Sequence, residues 1–340
     1  MRSQQQVVFG AGLIGGYLGG ALQMAGLPVA LVCRPAIKAR LSKGIKLTDY
    51  QGHQSGPIAL NFVEDAGQLS QDVAVLWLTV KCTAVKSALA DMAAFVSANT
   101  LILCCQNGLG SDALVKQAFP ENRVLRVMVP FNVVELSAGH YHRGSQGEMS
   151  IELAPGQEAD IAKLVNTINC DLLPLRACAD MNALLWAKWQ LNLGNSINAL
   201  ADIPVKAMLE QRGYRLVIAK LMRELLQVTD ALAIKLPKVA ALPPHWIPRV
   251  LSLPDFWFKR LANKMLAIDP NVRTSMWWDV SQGKRTEIDY LNGAVLAQAR
   301  ALGLRCPANE KVIALINRIS LTPGAARHGL SAQELLDEVK

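Results

Sequence analysis

Apolar residues fall in short continuous runs in the first half of the chain and in helical stripes in the second. Runs at 5–9, 28–33, 73–79, 100–105 and 124–129 predict strands buried on both faces. Helical spacing occupies 13–26, 35–43, 83–97 and 110–118 between them. Such alternation predicts a parallel sheet covered on both sides. Phe131–Glu135, His140–Gly144 and Met149–Leu153 predict short antiparallel strands that finish this sheet. After about residue 179 the strand signal disappears, and long helices are predicted over 181–200, 205–235, 275–303, 308–319 and 331–339. The expected organisation is α/β: a doubly wound sheet domain over 1–179, then an all-α domain over 180–340. Residues 236–271 interrupt the helices with Pro237, Pro243, Pro244, Pro248, Pro254, Pro270, Trp246, Phe256 and Trp257. They read as a connector packed on the helical domain, with a lid or oligomer contact as the alternative.

The first strand ends in Gly10-Ala11-Gly12-Leu13-Ile14-Gly15, a Gly-x-Gly-x-x-Gly turn that opens a helix. In a strand–turn–helix context this spacing predicts a dinucleotide site of Rossmann type. The first glycine makes the turn, the second admits a pyrophosphate to the backbone, and the third lets helix and strand pack. Free N–H groups at the helix start complete the anion site. A signal peptide or membrane span is the competing reading of residues 7–33. The recurring glycines and the strand-like Pro28–Cys33 favour a buried βαβ unit instead. Elsewhere no apolar run approaches the roughly 18 residues that a span needs. A soluble, cytoplasmic protein without membrane association is therefore expected.

Composition narrows this little. The 340 residues are 51% hydrophobic and 18% charged, enough apolar material for two cores. The net charge of +8 is dispersed, with no basic arm, which argues against nucleic-acid binding. Seven irregularly spaced cysteines suit reduced thiols, and five scattered histidines offer no zinc spacing, so no metal is expected.

The second strand ends Leu31-Val32-Cys33-Arg34-Pro35, without the acidic residue that binds ribose hydroxyls in NAD sites. Arg34 stands where a guanidinium could pair with a 2′-phosphate, assisted by Lys38 or Arg40, so NADPH is favoured over NADH. Lys81 and Asn107 follow the third and fourth strands at the same sheet edge and are candidate ligand contacts.

In the helical half, Lys188, Asn192 and Asn195 recur at i, i+4 and i+7 and share one face. Around them are Leu184, Leu185, Trp186, Trp189 and Leu191. An ammonium in such surroundings needs partners, and asparagines are poor helix formers. This predicts a substrate-facing surface with a general acid. Ser275 and Glu287, twelve residues apart, would lie near one face of a continuous helix, though Gly283 offers a kink.

Together Gly10-x-Gly12-x-x-Gly15, Arg34, Lys81, Asn107-Gly108, Lys188-x-x-x-Asn192 and Ser275-Met276 with Arg285-Thr286-Glu287-Ile288-Asp289-Tyr290-x-Asn292-Gly293 resemble the ketopantoate reductases (2-dehydropantoate 2-reductases) over nearly the whole chain. The resemblance implies an NADP-binding Rossmann domain and a helical substrate domain, with NADPH and substrate between them. It implies reduction of 2-dehydropantoate to pantoate in pantothenate biosynthesis, on the way to coenzyme A. Lys188 would be the catalytic acid, with Glu287 engaging substrate, lysine or cofactor. Asn107, Asn192 and Ser275 would contact substrate, Asn107 also lying near the nicotinamide. The pyrophosphate would rest on Gly10, Ala11, Gly12, Leu13, Ile14 and Gly15, with Arg34 and Lys81 as further cofactor contacts. Where the family has a second asparagine this chain has Ser196, preceded by Asn195, which ranks above it. A different 2-oxo acid, an opine-type imine and a non-catalytic NADPH-binding regulator stay as alternatives, and a homodimer is compatible.

Overall fold

A computed structural model describes residues 5–69, 72–108, 110–261, 271–320 and 329–340. Pro270, named above, lies outside the described residues, as does the rest of 262–270. The chain divides into two compact units, Met1–Met181 and Asn182–Lys340.

The first unit is built on an eight-stranded sheet. In chain order its strands are β1 (Gln6–Phe9), β2 (Val29–Val32), β4 (Asn61–Val63), β5 (Val75–Leu78), β6 (Leu101–Cys104), β7 (Arg123–Met128), β10 (Met149–Glu152) and β11 (Leu175–Cys178). Across the sheet they run β11-β10-β7-β6-β5-β1-β2-β4. From β4 to β7 every neighbour is parallel. This is the Rossmann order, with the chain reversing direction across the sheet between β1 and β5. The four-residue strands Val29–Val32 and Val75–Leu78 are buried throughout, as the unbroken apolar runs require. Helices α1 (Leu13–Met24), α2 (Pro35–Arg40), α3 (Cys82–Met92) and α4 (Ser111–Ala118) connect them.

The expected antiparallel finish is only partly right. Met149–Glu152 pairs antiparallel with β7 and parallel with β11, which the sequence reading did not anticipate. The hairpin β8 (Val133–Ser137) and β9 (His140–Arg143) leaves the main sheet and pairs with β3 (Lys46–Asp49), another unanticipated strand. Asp49 explains why: the strand buries a carboxylate, paired with the buried Arg143 at 2.7 Å. Burial pushes the Asp49 carboxyl up, but hydrogen bonds from His53, Gln51 and Arg143 prevail and leave it below its ordinary value. Tyr141 of this small sheet packs where a Cβ on Gly16 would stand, 2.6 Å from its ring, so Gly16, the residue after the glycine motif, serves packing.

The second unit is helical among its described residues: α6 (Met181–Asn192), α7 (Gly194–Ala201), α8 (Val205–Leu209), α9 (Arg212–Ala231), α10 (Ile247–Leu251), α11 (Asp255–Leu261), α12 (Ser275–Ser281), α13 (Asn292–Ala301), α14 (Pro307–Ser320) and α15 (Ala332–Glu338). A fifth helix, α5 (Glu158–Ile168), joins α1 to α4 in the first unit. The long helix expected over 275–303 is broken. Gly283 adopts a left-handed φ of 63°, and a 3₁₀ turn at Ile288–Tyr290 precedes α13. Ser275 and Glu287 therefore do not share a continuous helix.

Candidate functional site

The candidate residues form two groups, one in each unit. In the first unit the β1–α1 turn sits at the point where the sheet order reverses. Gly10 has φ 113°, and a Cβ there would lie 2.8 Å from Val80 Cγ1 and 2.9 Å from Val80 N. Thr79 Oγ1 donates to the carbonyls of Phe9 (3.1 Å) and Gly10 (2.7 Å), binding the turn to the end of β5. A Cβ on Gly15 would fall 1.9 Å from the Gly10 carbonyl oxygen, so this position must be glycine for the turn to close. Gly12 is different. It is exposed, has φ −76°, and nothing lies within 4 Å of the place where its Cβ would be. Its missing side chain is unnecessary for packing and leaves the start of α1 open to a ligand. No acidic residue stands in the first turn of α1, and no side chain caps it. The turn therefore fits a dinucleotide pyrophosphate.

Lys81 stands at the N-cap position of α3 directly after Val80, and Asn107 follows β6; both are exposed. The structure ties their turns together through two residues that the motifs did not single out. Buried Gln106 donates Nε2 to the carbonyls of Leu78 (2.7 Å) and Val80 (3.1 Å). Cys82, buried at the start of α3, donates its thiol to the Asn107 carbonyl at 3.1 Å. A glutamine directly after a buried strand was the available signal. All seven cysteines are free thiols. Cys104, inside β6, is pushed up to about 12 by burial.

Arg34 is exposed at the N-cap of α2, just past β2. Its expected helpers are engaged elsewhere: Lys38 pairs with Glu64 at 2.8 Å and Arg40 with Glu135 at 2.7 Å. Glu64 follows β4, which pairs with β2 only in the folded sheet, so no local sequence pattern marks it as Lys38's partner.

In the second unit, α6 and α7 are almost entirely buried along 183–201. Lys188, Asn192 and Asn195 are half-exposed, together with Leu191 and Gly194. Leu193 separates the two helices but keeps helical φ and ψ of −59° and −26°, so the stripe runs across the break. Ser196 is buried and gives its hydroxyl to the Leu193 carbonyl at 2.9 Å, whereas Asn195 reaches the half-exposed face. The third asparagine of the segment is not on that face. Asn198 is fully buried, donates to the Ile203 carbonyl at 2.7 Å and accepts from Thr274 N at 3.0 Å and Oγ1 at 3.1 Å. Thr274 in turn caps α12 and also bonds the Asn195 carbonyl. Asn198 thus docks the helix that Ser275 opens, which places exposed Ser275 beside α7. Glu287 is buried at the N-cap of the 3₁₀ turn. Among the described residues no group of three or more His, Cys, Asp and Glu side chains could hold a metal.

Residues 7–156 match the model of the family described as ketopantoate reductase PanE/ApbA, and residues 180–320 match its C-terminal model. The chain belongs to the ketopantoate reductase family. A 2-dehydropantoate 2-reductase from Archaeoglobus fulgidus is 23% identical over 321 residues, covering 94% of this chain and 99% of the relative. The crystal structure of a PanE/ApbA family ketopantoate reductase from Ralstonia eutropha JMP134 superposes with a TM-score of 0.77 at 26% identity, covering 93% and 98%. D-mandelate dehydrogenase, solved with NADH and anilino(oxo)acetate, shares the fold at TM-score 0.74 and 19% identity, over 93% and 98%. Membership makes this ketopantoate reductase-family chain an oxidoreductase. Among the described residues no helix is long and apolar enough to cross a membrane.

Proposed function

We propose that the chain reduces a 2-oxo acid with NADPH, taking 2-dehydropantoate to pantoate in the cytoplasmic supply of pantothenate and coenzyme A. The first unit would hold the nucleotide and the second the substrate. The observation that carries the reading is the half-exposed stripe of Lys188, Asn192 and Asn195 on otherwise buried helices. NADPH, when bound, supplies the hydride taken by the ketone carbon. Lys188 Nζ gives the proton to the carbonyl oxygen and stabilises the negative charge that grows there. Asn192, Asn195 and Ser275 orient the oxo acid, and Asn107 does so from the sheet edge. Glu287 holds the lysine or the substrate hydroxyl. Gly10 to Gly15 carry the pyrophosphate, with Lys81 near the cofactor, and Arg34 pairs with the 2′-phosphate.

A second reading keeps the reaction and changes its reactants. D-mandelate dehydrogenase was solved with NADH and an oxo acid bearing an aromatic group. Glu64 also stands one residue beyond β4, beside β2. A panel of 2-oxo acids, with and without an amine, followed by oxidation of NADPH and of NADH, decides between them. The proposal expects 2-dehydropantoate with NADPH to be the best pair. A preference for another oxo acid, for an imine or for NADH supports the second reading.

A further inference from the structure

Behind the Glu287 turn lies a polar chain that the proposed reaction does not use directly. Glu224 on α9, Asn309 on α14 and Asn292 at the start of α13 are all buried, at 6%, 0% and 0% exposure. Glu224 accepts from the backbone N–H groups of Ala308 (2.8 Å) and Asn309 (2.9 Å) at the start of α14. Its Oε2 also accepts from Asn309 Nδ2 at 2.7 Å, and that amide nitrogen reaches the Leu221 carbonyl at 3.4 Å. Asn309 Oδ1 then accepts from Asn292 Nδ2 at 2.9 Å.

The direction of this chain is set from one end. The Glu224 oxygens already receive two backbone N–H groups, so Asn309 must turn its NH₂ towards the carboxylate and its oxygen away. Asn292 must in turn offer its own NH₂. Its Oδ1 is left buried without a hydrogen-bond partner. Two packed apolar side chains would hold α13 against α14 without stranding an acceptor. What the polar chain adds is a unique orientation for Asn292. The preceding residues form one hydrogen-bonded turn: the Glu287 carbonyl accepts from Tyr290 N at 3.0 Å and Leu291 N at 3.1 Å. Pinning Asn292 therefore pins the backbone that presents Glu287.

We propose that Glu224, Asn309 and Asn292 form a one-way hydrogen-bond relay whose function is to position Glu287 for the reaction. The inference rests on the oxo-acid reductase reading, in which Glu287 meets lysine, substrate or cofactor. The three are positioning residues, none placed against the reacting atoms.

Two variants of the full-length protein separate positioning from simple support. Asn309→Leu cuts both links but leaves the two backbone bonds to Glu224. Glu224→Gln combined with Asn309→Asp reverses the first link: the glutamine amide donates, and the aspartate accepts from it and from Asn292. Asn292 is held again, although one backbone N–H at the start of α14 loses its acceptor. Hydrogen exchange is read at the amides of Tyr290 and Leu291, and kcat is read with NADPH and 2-dehydropantoate. Asn309→Leu should speed exchange at those two amides and lower kcat about 10- to 100-fold through misplacement, with the KM for NADPH unchanged. The reversed pair should recover both kcat and exchange while its Tm stays below wild type. The relay is overturned if kcat follows Tm across the variants, or if exchange at Tyr290 and Leu291 does not move in Asn309→Leu. A wild-type protein that oxidises no NADPH with any 2-oxo acid sinks the reductase reading instead, and the exchange measurement still decides whether the relay holds the turn.

Discussion

At the β1–α1 turn the candidate ligand contacts are backbone groups left open by a missing side chain. On the helices of the second unit they are side chains held in place by other side chains. Gly12 has open space where its Cβ would be, beside an uncapped helix start. Lys188, Asn192 and Asn195 stand out from buried helices, while Asn198 and Thr274 dock the neighbouring helix of Ser275. A backbone site is general for an anion, because any dinucleotide offers a pyrophosphate. A side-chain site distinguishes one small acid from another through a few placed polar groups. The difference predicts that damage at the turn appears in cofactor affinity or folding, and damage on the helices in substrate affinity or turnover.

The strongest way to break that contrast is Lys188→Ala. Loss of a positioned acid is expected to lower kcat about 10²- to 10⁴-fold, while NADPH binding, measured by fluorescence titration, stays as in wild type. Near-normal turnover would remove Lys188 from the chemistry.

Within the first unit, Gly12 and Gly15 sharpen the comparison. Gly15→Ala drives a Cβ to 1.9 Å from a carbonyl oxygen, so Tm should fall, with a loss of about 1–3 kcal/mol or more as for overpacked sites. Gly12→Ala meets no protein atom, so Tm should hold while the Kd for NADPH rises. Thermal melts with and without NADPH read both, and the same loss of Tm in the two variants would contradict this division.

Arg34→Ala should raise the Kd for NADPH about tenfold, as expected for a lost charge-assisted pair, and leave NADH binding unaltered. Equal weakening of both cofactors removes Arg34 from the 2′-phosphate. The smallest effect expected is in the pair Ser196→Ala and Asn195→Ala. The Ser196 hydroxyl is spent on the Leu193 carbonyl, so its loss should leave the KM for the oxo acid unchanged. Loss of the Asn195 side chain should raise that KM, and the reverse order would exchange their roles.

Much of the first unit could be read from the chain because each central strand is a continuous apolar run and the turn chemistry is local. The missed strands depend on distant partners: β3 carries Asp49 into the interior only because Arg143 meets it there. The polar stripe of α6 and α7 was readable from spacing, since a helix brings i, i+4 and i+7 to one face. The roles within it were not equally readable. Asn198 looks like its two neighbours in sequence, and only burial against Thr274 marks it as structural. The break at Gly283 was offered by the glycine itself, whereas the relay behind Glu287 depends on contacts between α9, α13 and α14, which no spacing rule contains.

The most direct test of the account is to mix the wild-type protein with NADPH and 2-dehydropantoate and to measure cofactor oxidation and pantoate together. The account predicts that NADPH is consumed and pantoate appears in equal amounts over many turnovers. NADPH that binds tightly but is not oxidised by this or any other 2-oxo acid would contradict it and make the chain a nucleotide-binding regulator.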